Sequence, residues 1–132
     1  MATGSWIVPF IGDPRVGFEV RSHRRRHVDV ILLRGDLGLG SVPQLQPALE
    51  EAVRGRGAVV IDLVDVSFMD AQGLYALLVL RARLQERSRA LAIVCHPRSP
   101  VATTFEVSGT DDVFSLFTSR QAALAAARRS AR

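Results

Sequence analysis

The sequence predicts an α/β domain, a mixed β-sheet of about five strands with about four helices. The first observation behind this is the stretch Val59–Leu80, VVIDLVDVSFMDAQGLYALLVL. A β-branched apolar run feeds there into an apolar helical pattern, as in a central strand covered on both faces. The second is that the rest of the chain supplies further short apolar runs separated by helix-period segments. The third is composition: 48% hydrophobic and 23% charged over 132 residues suits one globular domain with a sizeable core.

Composition also excludes several classes. The net charge is +4, and all 17 basic residues are Arg. The single cysteine, Cys95, excludes an internal disulfide and suits a reducing cytoplasm. No apolar run is long enough to cross a membrane. The start, MATGSWIVPFIGDPR, lacks the basic beginning and unbroken apolar core of a signal peptide. A soluble, cytoplasmic protein with no membrane partner is expected.

Residues 1–15 read as an N-terminal extension and residues 16–132 as the domain. In the extension, Pro9, Gly12 and Pro14 break regular structure. Trp6, Ile7, Phe10 and Ile11 are apolar enough to cover a core edge or a neighbouring chain, so a homodimer is one arrangement it allows. Val16–Val20 reads as the first strand, with Val16, Phe18 and Val20 on one face. Val28–Leu33 reads as the second. Arg21-Ser22-His23-Arg24-Arg25-Arg26-His27 between them reads as a solvated hairpin loop. A nucleic-acid patch is the competing reading. No aromatic residue interleaves the arginines to stack bases, so direct nucleic-acid binding is not expected.

Gly35-Asp36-Leu37-Gly38-Leu39-Gly40 follows the second strand. Its G-x-x-G-x-G order, with no Gly-Lys-Ser/Thr after it, is not that of a phosphate loop. Ser41 reads as a helix N-cap, with Pro43 in the first turn. Leu45, Ala48, Leu49, Ala52 and Val53 make one buried stripe, and Gly55 and Gly57 end the helix.

The central strand starts near Ala58. Asp62 and Asp65, three apart on a regular strand, point to opposite faces and share no acid–base site. Asp70 reads as the next N-cap, and Gly73 leaves room for a second backbone to approach. Leu74, Leu77, Leu78 and Leu84 form the buried stripe of this helix, with Arg81, Gln85 and Arg87 on its wetter side. Ala90–Cys95 reads as a short buried strand, with Cys95 a small core residue and His96 just past its end. Ser99-Pro100 opens a short helix with Val101 and Phe105 on its apolar face, and Gly109 closes it. Val113–Phe117 is the last strand. Ser119 caps a final helix over the Ala-rich run Ala122–Ala127. Arg128, Arg129 and Arg132 suit its C-terminal dipole.

Residues 62–74 read DLVDVSFMDAQGL. This segment resembles the signature of STAS domains, most of all the anti-sigma factor antagonists of bacteria. That signature runs acidic, apolar, Ser/Thr, aromatic, apolar, then Asp-Ser-Ser-Gly-Leu. Ser67, Phe68, Met69, Asp70, Gly73 and Leu74 fit it, while Ala71 and Gln72 stand where the family has serines. In the family the second serine receives a phosphate from an anti-sigma factor kinase. Gln72 is therefore the non-phosphorylatable equivalent of that site. Gly35-Asp36-Leu37 resembles the first three positions of the family's Gly-Glu-Leu-Asp, with Gly38 in place of the Asp. Ser99-Pro100, Phe105 and Val107-Ser108-Gly109 continue the resemblance, which covers roughly residues 16–127.

The resemblance implies a partner-switching regulator of transcription. Such an antagonist binds a serine-kinase-type anti-sigma factor and so releases a sigma factor. It implies a contact surface of Asp36, Leu39, Ser41, Met69, Asp70, Gln72, Gly73 and Leu74. Gln72 has no hydroxyl and no charge, so the chain resembles the unphosphorylated, docking-competent form. Ser67 is the one Ser or Thr in residues 65–75 and is expected to be shielded at the strand end. The competing reading is a STAS adaptor or scaffold subunit in a lipid-transport or signalling complex. Catalysis is not expected. Asp70 follows a central strand, as does the acceptor Asp of response-regulator receiver domains. Those domains also need a Lys near the last strand, and this chain has no Lys. No Ser/His/Asp, Cys/His or metal-ligand set is visible, so neither cofactor nor metal is expected.

Overall fold

The apolar runs pair into one sheet whose spatial order follows the chain: β1 (Phe18–Arg25), β2 (Val28–Leu37), β3 (Val59–Met69), β4 (Leu91–Val94) and β5 (Ser115–Phe117). The computed structural model describes residues 17–130. The N-terminal extension expected over residues 1–15, together with Val16 and Arg132, lies outside the described residues. β1 is antiparallel to β2, and every later pair is parallel. The parallel strands are joined through α1 (Val42–Arg54), α2 (Ala71–Gln85) and α3 (Pro100–Ser108), and α4 (Arg120–Ser130) ends the described chain. This is the mixed α/β architecture read from the sequence.

Both faces of the sheet are covered, unequally. Leu45 and Leu49 of α1, Leu77 and Leu84 of α2, and Val101 and Phe105 of α3 meet Val59, Ile61 and Leu63 of β3 in the main core. On the other side, Ala123 and Ala127 of α4 lie against Val28, Val30, Val60 and Val94. A strand covered on both faces needs apolar residues at every position, and β2 and β3 read that way for this reason.

The segment 21–27 is not a loop. β1 runs through it to Arg25, in register with β2 from Phe18↔Gly35 to Arg25↔Val28. The turn is only Arg26-His27, both left-handed at φ 52° and 67°. The long apolar run of β2 offers a complete ladder of backbone groups, and pairing with it outweighs the poor strand propensity of an arginine-rich segment. Arg24 is held there by a 2.8 Å ion pair with Asp29.

β3 carries two bulges. Pairing steps from Leu32↔Asp62 to Arg34↔Asp65, and from Gly35↔Val66 to Asp36↔Phe68. Each step inserts one extra residue into β3, so Leu63, Val66 and Met69 all reach the main core at three-residue spacing. The opposite-face expectation for Asp62 and Asp65 assumed a regular strand and fails here. What keeps the two apart chemically is their partners. Asp62 is buried, with Oδ2 accepting from Arg120 Nε at 2.8 Å and Oδ1 from the Val64 N–H at 2.9 Å. Asp65 is exposed.

Arg89 has a role that the sequence did not announce. It is 9% exposed and donates to three carbonyls at the end of α1: Nε to Gly57 at 2.7 Å, and its terminal nitrogens to Val53 and Ala52 at 2.9 Å. The Ala52 carbonyl also accepts the Gly55 N–H, and the Val53 carbonyl also accepts from Arg87. The Arg89 guanidinium, from the next β-α unit, also lies 3.6 Å from Asp29. Replacing Arg89 by Leu strands the Gly57 carbonyl and removes three charge-assisted bonds and the Asp29 pair, and the expected loss of stability is about 3 kcal/mol. Urea unfolding checks it as a lowered midpoint at unchanged slope. Arg54→Leu, which breaks only the exposed pair with Glu51, leaves the midpoint within error.

Candidate partner-docking site

Two loops meet at the C-terminal ends of β2 and β3, and one carboxylate ties them together. Asp70 leaves β3 in extended conformation and caps α2, with Oδ1 accepting the N–H groups of Gln72 at 2.8 Å and Gly73 at 3.0 Å. Its Oδ2 accepts the Leu39 N–H of the other loop at 3.2 Å. The Asp70 N–H donates to the Leu37 carbonyl at 3.1 Å. The N-cap role read from the sequence therefore holds, and the same side chain also fixes the 36–41 loop. Its hydrogen bond from Gly73, joined by those from Leu39 and Gln72, holds the Asp70 carboxyl below the usual carboxylate range against the opposing effect of burial.

Two glycines make this junction sterically feasible. A Cβ at Gly73 would lie 2.5 Å from the Leu37 carbonyl oxygen, so α2 and the end of β2 touch backbone to backbone. A Cβ at Gly38 would lie 2.4 Å from Asp70 Oδ2. A side chain there would push the carboxylate off its donors. Gly38, which departs from the family's Asp, is thus matched to the position of Asp70.

Ser41 occupies the N-cap position of α1 but does not cap it. Its hydroxyl turns back, accepting the Gly38 N–H and donating to the Asp36 carbonyl, both at 2.8 Å. The loop's own backbone groups compete for that hydroxyl, and the loop wins. From the far side, Thr104 Oγ1 of α3 donates to the Met69 carbonyl at 3.0 Å.

The eight residues implied as contacts divide by depth. Asp36, Leu39 and Gln72 are exposed and Asp70 is half-buried. Ser41, Met69, Gly73 and Leu74 are buried, Met69 and Leu74 within the main core. The buried four shape the surface from beneath. Ser67 is exposed, not shielded as expected. β3 runs on past its last pairing with β4, Asp62↔Val94, so nothing from β4 covers that end.

Beside Leu39, which is in the implied contact set and 72% exposed, the structure adds two large apolar side chains outside that set, Tyr75 at 64% and Phe68 at 52%, close in sequence to the Asp70 junction. Beside them a groove of about 550 Å³ opens between α1 and α2, lined among others by Val42, Pro43, Gln72, Tyr75 and Val79. Arg83, also lining it, is paired with Glu50 across the two helices at 2.6 Å. The legible signal for Tyr75 was an aromatic residue falling between Leu74 and Leu77, outside the buried stripe. Elsewhere, Cys95 is a free buried thiol, in the core as expected. Among the described residues, no group of three or more His, Cys, Asp or Glu is placed to hold a metal, and no helix is long and apolar enough to cross a membrane.

A family profile described as "Mlab, STAS domain" matches residues 20–118. The chain belongs to the STAS-domain family. This STAS domain is 30% identical over 98 residues to a Bordetella bronchiseptica protein named "Putative anti-sigma factor antagonist BtrV", covering 74% of this chain and 84% of that protein. Its fold is similar to the crystal structure of an anti-sigma factor antagonist from Mycobacterium paratuberculosis, with TM-score 0.77 and 24% identity over 89% of this chain and 99% of that one. It is similar also to the anti-sigma factor antagonist SpoIIAA in its unphosphorylated form, with TM-score 0.64 and 17% identity over 83% and 97% of the two chains.

The Asp70 junction makes a prediction with a pH signature. Because the folded-state pKa is depressed, the contribution of Asp70 is complete above the unfolded value of about 3.9 and is lost as pH falls through the folded value. Asp70→Ala is expected to lose about 1–2 kcal/mol at neutral pH. Chemical denaturation of both proteins at pH 7 and at about pH 3 should show the gap narrowing in acid. Gly73→Ala, read by the same method, is destabilising at both pH values, because its clash with Leu37 does not titrate.

Proposed function

We propose that this STAS domain is an anti-sigma factor antagonist. It docks on a serine-kinase-type anti-sigma factor in the bacterial cytoplasm and so frees a sigma factor. The observation that carries this reading is the Asp70 junction. One carboxylate locks the 36–41 loop to the start of α2, and Leu39 and Gln72 face outward on either side of it. A rigid patch with exposed apolar side chains and a polar surround is what a protein partner binds without a large ordering cost. The name of the Bordetella relative supports the same reading. The role is protein binding and not catalysis.

The usual phosphoswitch is absent in this reading. Gln72 offers an amide where a phosphorylatable serine would offer a hydroxyl. The surroundings also disfavour a phosphate at this position. The backbone N–H groups of residues 72 and 73, which would ordinarily receive an anion at a helix N-terminus, are already taken by the Asp70 carboxylate. A phosphate would meet that carboxylate as a like charge. The domain is therefore permanently competent to dock.

Pull-down against the kinase-type anti-sigma factors of the same organism tests this. Wild type is expected to bind tightly, and Gln72→Ser to bind comparably until the kinase and ATP are added, after which only the serine variant is released. Binding by Gln72→Ser alone means that the native side chain blocks docking. If neither binds, the reading gives way to an adaptor subunit of a lipid-transport or signalling complex. Because Ser67 is exposed, phosphate mapping accompanies the assay. Stoichiometric phosphate on Ser67 of the wild type would overturn the unswitched reading.

A further inference from the structure

The docking site lies at the C-terminal ends of β2 and β3. The opposite end of the molecule has a different chemistry. The β1–β2 turn, the exits of α1 and α2, and the end of α4 converge there around a pocket of about 400 Å³. His27, Arg56, Gly57, Arg87, Arg89 and Ser130 are among its lining residues. Arg26, Arg128 and Arg129 adjoin it in sequence and are exposed.

Charge at this end is not balanced internally. Asp29 is shared by Arg24 and Arg89, and Glu51 is taken by Arg54. Arg26, Arg56, Arg128 and Arg129 have no ion pair among the described residues. Glu86, beside Arg87 in sequence, is exposed and forms no ion pair among the described residues. Helix C-termini carry partial negative charge and would normally repel an anion. At α1 that repulsion is already answered, since Arg87 and Arg89 donate to the carbonyls of Ala52, Val53 and Gly57. The remaining guanidiniums are therefore surplus to the needs of the fold. Among the described residues, Val113, beside Arg89 and Ala90, is the exposed large apolar side chain placed next to this end, and no Phe, Tyr or Trp lines the pocket. Among the described residues, the pocket therefore lacks the large aromatic side chains that serve best as base-stacking platforms or membrane anchors. It offers concave, multidentate positive charge, the arrangement suited to phosphate oxygens.

We propose that the pocket among Arg56, Arg87 and His27 binds a phosphate-bearing anion, supplied either free in solution or as the headgroup of an anionic lipid. Arg56 meets the phosphate oxygens together with the Arg87 N–H groups that do not donate to the Val53 carbonyl, while Arg26, Arg128 and Arg129 raise the local anion concentration. The site is separate from the docking surface, so the proposal stands or falls independently of the partner.

The test is titration of the full chain with inorganic pyrophosphate at low ionic strength, read by calorimetry and by amide chemical shifts. Saturable binding with shifts at residues 26–27, 56–58 and 87–90 is expected. The double variant Arg56→Glu, Arg26→Gln should bind about tenfold more weakly or worse while remaining folded by its unfolding transition. Arg98→Glu, an exposed arginine past the end of β4 and away from the pocket, should bind as wild type does. Flotation with vesicles of phosphatidylglycerol and phosphatidylcholine, against phosphatidylcholine alone, separates the two sources. Vesicle binding competed by pyrophosphate assigns a headgroup, and pyrophosphate binding without vesicle binding assigns a free anion. No saturable binding, or binding that the double variant keeps, overturns the proposal. So does tighter binding to duplex DNA that pyrophosphate cannot compete, which would make this end a nucleic-acid surface.

Discussion

One side chain joins parts of the chain that would otherwise move separately. Asp70 accepts two N–H groups of its own helix and one from a loop 31 residues away in sequence. An N-cap ordinarily orders one helix terminus. Here the second carboxylate oxygen extends that order to the 36–41 loop, which the Ser41 hydroxyl then closes from within. The direct backbone bond from Asp70 to Leu37 sets the spacing, and Gly73 permits it. The proposed docking surface is in this sense a by-product of a capping interaction. Its exposed residues stand where the carboxylate and two glycines put them.

The departures from the family's pattern gather at the same place. Gly38 replaces an acidic residue, and Gln72 replaces a serine. Both adjoin the Asp70 carboxylate, one through the space that it needs and the other through the backbone N–H that it binds. An acid at position 38 would compete with Asp70 for room and add a second negative charge. The two changes are coherent with a junction held by a single carboxylate, whose oxygens already occupy the N–H groups of Leu39, Gln72 and Gly73.

What could be read from the sequence depended on how local the physics was. Asp70, Ser99 and Ser119 were legible as caps because a short polar side chain before an apolar helical pattern has few other uses, and each accepts the expected backbone N–H. Gly109 was legible as a stop, and it sits in the left-handed region at φ 75°. Ser41 satisfied the same rule and broke it, because the loop before it holds backbone groups that only the fold brings within reach. The strand through Arg21–Arg25 was hidden because its partner, not its composition, makes it a strand. The bulges in β3 were hidden because alternation is the assumption by which faces are assigned. Arg89 was hidden more completely. An arginine after a helix reads as solvent-facing, and the carbonyls that it serves belong to a helix more than 30 residues earlier.

Because the strands lie side by side in the order in which they are synthesised, the sheet has a natural direction of growth. The β1–β2 hairpin closes through a two-residue turn, and each later strand arrives one helix afterwards to find its neighbour already in place. No strand waits for a partner still inside the ribosome, and long-range closure is kept to single crossovers. The two faces do not share this advantage. The main core is assembled progressively by α1, α2 and α3. Among the described residues, the helix that covers the second face, with Val28, Val30, Val60 and Val94, is the last one, through Ala123 and Ala127. Among the described elements, that face is therefore the one completed last during synthesis, by the final 11-residue helix.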